Sequence, residues 1–187
     1  MPTQLPRGLY RVDFALLDVS TSQPGTPIIS TRPRRLAMTY QADTFDIEGG
    51  DVQLEQGENN ERYELELETA GFELALLGAL GGSGTPDTTG TGPTLVTSIT
   101  KNLNSHQRSY GRLRAQQRDK EGGHTTYIFP RVAAAGEPTM TANQGEYATP
   151  TMALVAYAAT VAQTGPPAFA VGDLYTIEQA VTYVALA

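Results

Sequence analysis

Residues 61–82 read ERYELELETAGFELALLGALGG, and two periods meet in them. From Arg62 to Glu68 the chain alternates: Tyr63, Leu65 and Leu67 fall on one side, Arg62, Glu64, Glu66 and Glu68 on the other. A period of two marks a strand with one buried face. From Gly71 to Leu80 the residues are apolar apart from Glu73. This predicts a short buried helix with Thr69 as its N-cap and Glu73 in the first turn, where the helix dipole favours a carboxylate. Gly81 and Gly82 predict its end, since glycine adopts the left-handed conformation that stops a helix.

Working back toward the N-terminus, Asp43–Gln56 predicts a hairpin. Phe45, Ile47, Val52 and Leu54 form its apolar set, Gly49-Gly50 its turn, and Gly57–Asn60 a second turn. Eleven of the 20 acidic residues lie between Asp43 and Glu73, against the single base Arg62, so the acid is concentrated on one meander. Leu9–Val19 predicts a first strand, with Tyr10, Val12, Phe14 and Leu16 inward and Arg11 and Asp13 outward. It is preceded by a proline-bearing arm, 1–8. Arg32–Arg35 is a small basic knot between a turn-rich connector and a strand beginning at Leu36.

Toward the C-terminus, Gly81–Pro93 has loop composition, and Leu95–Thr100 predicts a short strand. Residues 101–120 hold six of the 13 bases, among them Arg108, Arg112, Arg114 and Arg118, with Asp119 the only acid. Their low apolar content predicts an exposed basic loop over 101–123. His124–Ala134 predicts a strand, and Pro130 within it an edge or a bulge. Thr139–Tyr147, Pro150–Val161 and Tyr175–Ala187 complete a set of eight to ten strands with one helix. The fold class expected is mainly β: an antiparallel two-sheet sandwich or barrel with one short α-helix, as a single domain over 9–187.

Composition narrows the function. The 187 residues suffice for one domain with a core. A net charge of −7 disfavours a protein that grips phosphates. With no cysteine there is no disulfide framework and no thiolate site. No apolar run is long enough for a membrane helix, so no membrane contact is expected. Candidate chemistry is thin. Glu64, Glu66 and Glu68 lie about 7 Å apart on one strand face, a spacing better read as a solvated acidic face than as acid and base of a glycosidase. Asp46–Asp51 lacks the EF-hand spacing. His106 and His124 have no ligand-spaced partners and no nucleophile elbow, and the glycine-rich 81–92 lacks G-K-[ST]. The expectation is therefore no catalytic residue, no metal and no cofactor. The basic stretch is expected to contact the acidic meander of a neighbouring subunit.

The order of parts resembles the major tail tube proteins of long-tailed bacteriophages and related gene-transfer particles. The likeness is carried by the N-terminal arm, the hairpin before an acidic strand, YELELETAGFELALLGALGG with its glycine-rich exit, and the late strands HTTYIFPRVAAAGEPTMTANQGEYATPTMALVAYAA. The resemblance implies a structural virion protein, made in the host cytoplasm and located in the tail. Hexameric rings of such proteins stack into a hollow tube, one sheet of each subunit lining a lumen through which DNA passes during ejection. It implies the chain itself as main partner, then the tape measure, terminator and distal tail proteins, and DNA in transit without specific binding. On this basis Asp46, Glu48, Glu55, Glu64, Glu66 and Glu68 are expected to face the lumen, and Arg108, Arg112, Arg114 and Arg118 to form the contact between subunits. Two alternatives stay open: a terminator, connector or baseplate ring subunit of such a particle, or a β-sandwich carbohydrate-binding module using Tyr63 or Tyr127.

Overall fold

The computed structural model describes residues 6–49, 52–71, 73–81, 86–98, 109–119, 122–136, 139–141 and 149–180. Its strands are β1 (Pro6–Leu16), β2 (Ile28–Ser30), β3 (Pro33–Gly49), β4 (Val52–Thr69), β5 (Asp87–Thr89), β6 (Val96–Ser98), β7 (Gly111–Asp119), β8 (His124–Ala134), β9 (Thr139–Thr141), β10 (Thr149–Tyr157) and β11 (Thr176–Ala180). The helix α1 (Leu74–Gly81) follows β4. Nine strands form one antiparallel sheet in the order β2-β1-β7-β8-β10-β4-β3, with β11 added to β8 and β9 to β10; β5 and β6 make a separate two-stranded ribbon. The mainly β, antiparallel architecture with one short α-helix is as the sequence predicts.

The sheet curls so that β1 also approaches β3. One core fills the inside: Val12 and Phe14 from β1, Leu65 and Leu67 from β4, Leu113 and Ala115 from β7, Phe129 and Val132 from β8, Met152, Leu154 and Ala156 from β10. Helix α1 adds Leu76, Ala79 and Leu80 to it. An all-apolar helix must be buried, and the alternation of β4 offers the apolar face that receives it.

The helix begins later than predicted. Thr69 belongs to β4, and Gly71 takes a left-handed φ of +88° that no helix accommodates. The Leu77 N–H donates to the Glu73 carbonyl at 3.0 Å, which makes Glu73 the N-cap in place of Thr69. Of the two predicted stop residues, Gly81 is the last residue of α1 and Gly82 lies outside the described residues.

Three larger expectations are corrected. First, 111–119 is not loop but strand β7, paired with β1 on one side and β8 on the other. Leu113 and Ala115 enter the core while Arg112, Arg114 and Gln116 occupy the other face, so the low apolar content reflects a strand whose second face is polar. The basic residue Arg108 lies outside the described residues. Second, Pro6–Gly8 is part of β1, with Pro6 opposite Asp119 and Gly8 opposite Arg118, so the predicted arm is shorter than 1–8. Third, Gly57–Asn60 is no turn: β4 runs through it for 18 residues. Asn60 takes a φ of +54° beside a register shift between Gln41 and Asp43, a bulge inside one continuous hairpin. Gly49 pairs with Val52, and Gly50 and Asp51 lie outside the described residues.

Pro130 occupies the bulge that its missing N–H requires. The β7–β8 register shifts there, between Gly111 opposite Val132 and Leu113 opposite Phe129. On its other side β8 changes partner, from β11 up to Ile128 to β10 from Arg131.

Candidate assembly surfaces

Hairpin β3–β4 is the dominant surface feature. Its strands pair from Pro33 opposite Thr69 to Gly49 opposite Val52. Strand β10 covers β4 only over Arg62–Glu68. From Asp43 opposite Asn59 to Gly49 opposite Val52 the hairpin pairs with itself alone among the described residues, a ribbon about 23 Å long at 3.3 Å per residue. Both of its lateral edges there carry unpaired backbone groups among the described residues, and an isolated two-stranded ribbon is marginal in water. Between Asp43 and Glu61 the sequence has no base.

The acidic residues do not form one unbroken row. In register Asp46 stands opposite Gln56, Glu48 opposite Gln53, and Glu55 opposite Ile47. Register shifts between Ile47 and Glu48 and between Gln41 and Asp43 separate these positions from Glu64–Glu68. Each extra residue reverses which face the following residues present, so simple alternation from Asp46 to Glu68 does not hold.

Glu64, Glu66 and Glu68 do share a face, opposite buried Leu65 and Leu67 and thus opposite the helix. Their lateral neighbours are Thr39, Ala37 and Arg35 on β3 and Val155, Ala153 and Thr151 on β10. The row is partly neutralised: Arg35 lies 3.2 Å from Glu66 and Arg34 3.7 Å from Glu68. Such exposed pairs contribute about 0–1 kcal/mol, but they leave Glu64 as the carboxylate of the three without an ion pair among the described residues. The sequence signal was the basic knot Arg32–Arg35, which only the β3–β4 pairing brings alongside the acids.

The basic residues of β7 separate into different environments. Arg118 is exposed, with its guanidinium 4.7 Å from the Tyr10 ring centroid. Arg112 is buried within its own chain, at 5% exposure, so it belongs to no exposed basic patch. Its Nη2 donates to the Pro167 carbonyl at 2.6 Å, and its guanidinium lies 5.0 Å from the Phe169 centroid. Burial lowers the Arg112 pKa, the neighbouring charge of Arg114 pushes the same way, and Glu178 opposes both. Arg114 is half-buried, across from Asp13.

Tyr63 packs among Tyr40, Phe129 and Tyr175, with centroids 5.5, 6.0 and 5.2 Å away. Burial, and then its hydrogen bond with Tyr175, raises its pKa. Tyr63 is half-buried in this cluster, while Tyr40 and Tyr175 each stay 43% exposed. His124 is buried and His106 lies outside the described residues. Among the described residues no three of His, Cys, Asp and Glu gather as a metal ion would need, and no helix is long and apolar enough to cross a membrane.

No protein-family model matches the chain. No curated protein matches it either. Among solved structures, a chain of the anti-feeding prophage (AFP) baseplate, determined by cryo-EM with six-fold symmetry, is similar with a TM-score of 0.46 and 14% identity, over 82% of this chain and 92% of that one.

Proposed function

We propose that this chain is a structural subunit of a phage-tail-type particle, repeated in stacked rings that form a hollow tube for DNA. The observation that carries this reading is the β3–β4 hairpin: a long ribbon, rooted in the core by Leu65 and Leu67, that continues beyond β10 with both edges unpaired among the described residues. Strand edges of that length call for pairing, and a second copy of the same chain supplies it; repeated around a closed ring, the pairing leaves no edge free. The face of β4 turned away from the core carries Glu64, Glu66 and Glu68. Carboxylates toward a lumen repel polyanionic DNA, the reverse of the salt-linked grip of a binding protein. The role is structural, without catalysis, with the other tail proteins as further partners.

Electron microscopy of the purified chain tests ring formation: hollow rings or tubes of even diameter are expected, and a strict monomer at high concentration in all salts sinks the reading. In an intact particle a tube subunit is among the most abundant bands, whereas a terminator or baseplate subunit is present in few copies. Reversing Glu64, Glu66 and Glu68 to Lys is expected to preserve assembly and impair DNA delivery. Unchanged infectivity would refute the lumen assignment.

A further inference from the structure

Away from the acidic face, β1 and β7 set Asp13 opposite Arg114 and Ala15 opposite Arg112. These four residues floor a pocket of about 270 Å³, walled by segments 24–27 and 164–166. The walls are tied together: the Thr164 N–H and hydroxyl both donate to the Gln23 side-chain carbonyl, at 2.8 and 2.9 Å, and the Gln23 amide donates to the Ala162 carbonyl at 3.0 Å.

The floor has an excess of positive charge. Asp13, at 1% exposure, is engaged by Arg11 at 2.6 and 3.0 Å. Arg112 is buried with its Nε unpartnered, and its one side-chain hydrogen bond among the described residues goes to a neutral carbonyl. Arg114 makes no hydrogen bond or ion pair among the described residues, and its Nε is buried as well. With Asp13 taken up by Arg11 and Glu178 the carboxylate that acts on Arg112, two guanidinium groups still leave one positive charge, at Arg114, unmatched among the described residues, and a further anion offsets it. The flat, forked donors of arginine match a carboxylate, and the pocket has room for one with its methylenes. The chain itself carries many: between Asp43 and Glu61 the projecting hairpin is acidic without a base.

We propose that this pocket receives an acidic side chain from the β3–β4 hairpin of a second copy, which pairs with Arg112 and Arg114. The proposal rests on the reading of the chain as a self-assembling subunit and adds the pocket by which one copy holds the next.

Arg114→Gln tests it, since Arg114 makes no hydrogen bond or ion pair among the described residues, and its loss should leave the fold intact by circular dichroism. Sedimentation velocity of the full chain should show the concentration for half-association rising about tenfold or more, with Arg114→Lys intermediate. Glutarate, a soluble carboxylate probe, should inhibit association of the wild type and shift the backbone amide resonance of Gly165, and do neither with Arg114→Gln. The source of the acid is tested with a second variant carrying Asp46→Asn, Glu48→Gln, Glu55→Gln and Glu58→Gln. At a concentration below the half-association point of either variant, each alone should stay largely monomeric, while their equimolar mixture should give a heterodimer in native mass spectrometry, because one supplies the acid and the other the pocket. Wild type that assembles while Arg114→Gln assembles equally well overturns the pocket alone. Wild type that never assembles overturns the self-assembly reading and this proposal with it, even if glutarate binds. A mixture that stays monomeric overturns the hairpin as the source.

Discussion

Replacing Gly111 with alanine probes the tightest contact in the core. Gly111 opens β7 at the point where the Phe14 ring crosses from β1, and a Cβ placed there would lie 2.1, 2.4 and 2.8 Å from three atoms of that ring. Carbon atoms rest at about 3.5–4.0 Å, so ring and strand must separate by about 1.5 Å. Phe14 has 0% exposure and no free volume to enter. Overpacking of this kind costs about 1–3 kcal/mol, against a gain of about 0.5–1 kcal/mol from replacing glycine in a strand. The net expectation is a loss of about 1 kcal/mol, or a Tm lower by about 2–4 °C for a chain of this size. Phe14→Leu alone should cost about 1.5 kcal/mol. In the double variant the smaller side chain makes room for the new methyl, so the two losses should fall short of additivity by at least about 1 kcal/mol. Urea denaturation of the four proteins, under conditions where the chain is monomeric, measures this. Additivity to within about 0.3 kcal/mol, or an alanine variant as stable as wild type, would refute the steric reasoning.

Leu76→Ala, which removes the deepest contact of the helix with the core, should cost about 3 kcal/mol and lower the Tm by about 6–12 °C in calorimetry. Arg35→Ala should change stability by less than about 1 kcal/mol, since its pair with Glu66 is exposed; a larger loss in denaturant titration would show that the pair does more than neutralise charge. Asp18 accepts hydrogen bonds from the Ser20 hydroxyl, the Thr21 N–H and hydroxyl and the Ser20 N–H, which together hold its pKa at about 2 instead of 3.8. A depressed carboxyl stabilises the fold above its unfolded pKa, and that contribution fades as pH falls toward 2. An NMR titration of the Asp18 carboxyl should therefore have its midpoint near 2, and Ser20→Ala should move the midpoint toward 3.8.

Local period made much of the architecture readable. Alternation in Arg62–Glu68 and the apolar run after it name a half-buried strand and a buried helix, because face and stripe are set by neighbours in sequence. Strand β7 escaped the same reading although its alternation is present: Leu113 and Ala115 are inward, but Arg112, Arg114 and Gln116 suggest exposure, and it takes segments distant in sequence, 24–27 and 164–169, to cover Arg112. The Gly57–Asn60 composition suggests a turn, whereas register with β3 draws it into a strand and confines the irregularity to one bulge at Asn60. The acidic face was legible at Glu64, Glu66 and Glu68. Its arginine partners were not, since Arg34 and Arg35 reach the acids only through pairing across some 30 residues of chain.

The strand order also sets a sequence of events in time. Hairpin β3–β4 joins neighbours in sequence and can close within microseconds. Its inner edge, however, waits for β10, which arrives from about 90 residues farther along and must settle between β4 and β8. Pairings that distant are slow, because loop closure precedes their reward. The hairpin proposed to reach toward a neighbour is therefore ready first, and the pocket between β1 and β7, itself about 100 residues apart in the chain, matures later. A nascent chain can offer its ribbon before it can accept one. Pulse-labelled hydrogen exchange should show protection in strands β3 and β4 appearing before that of Leu154 in β10, and association following only after both.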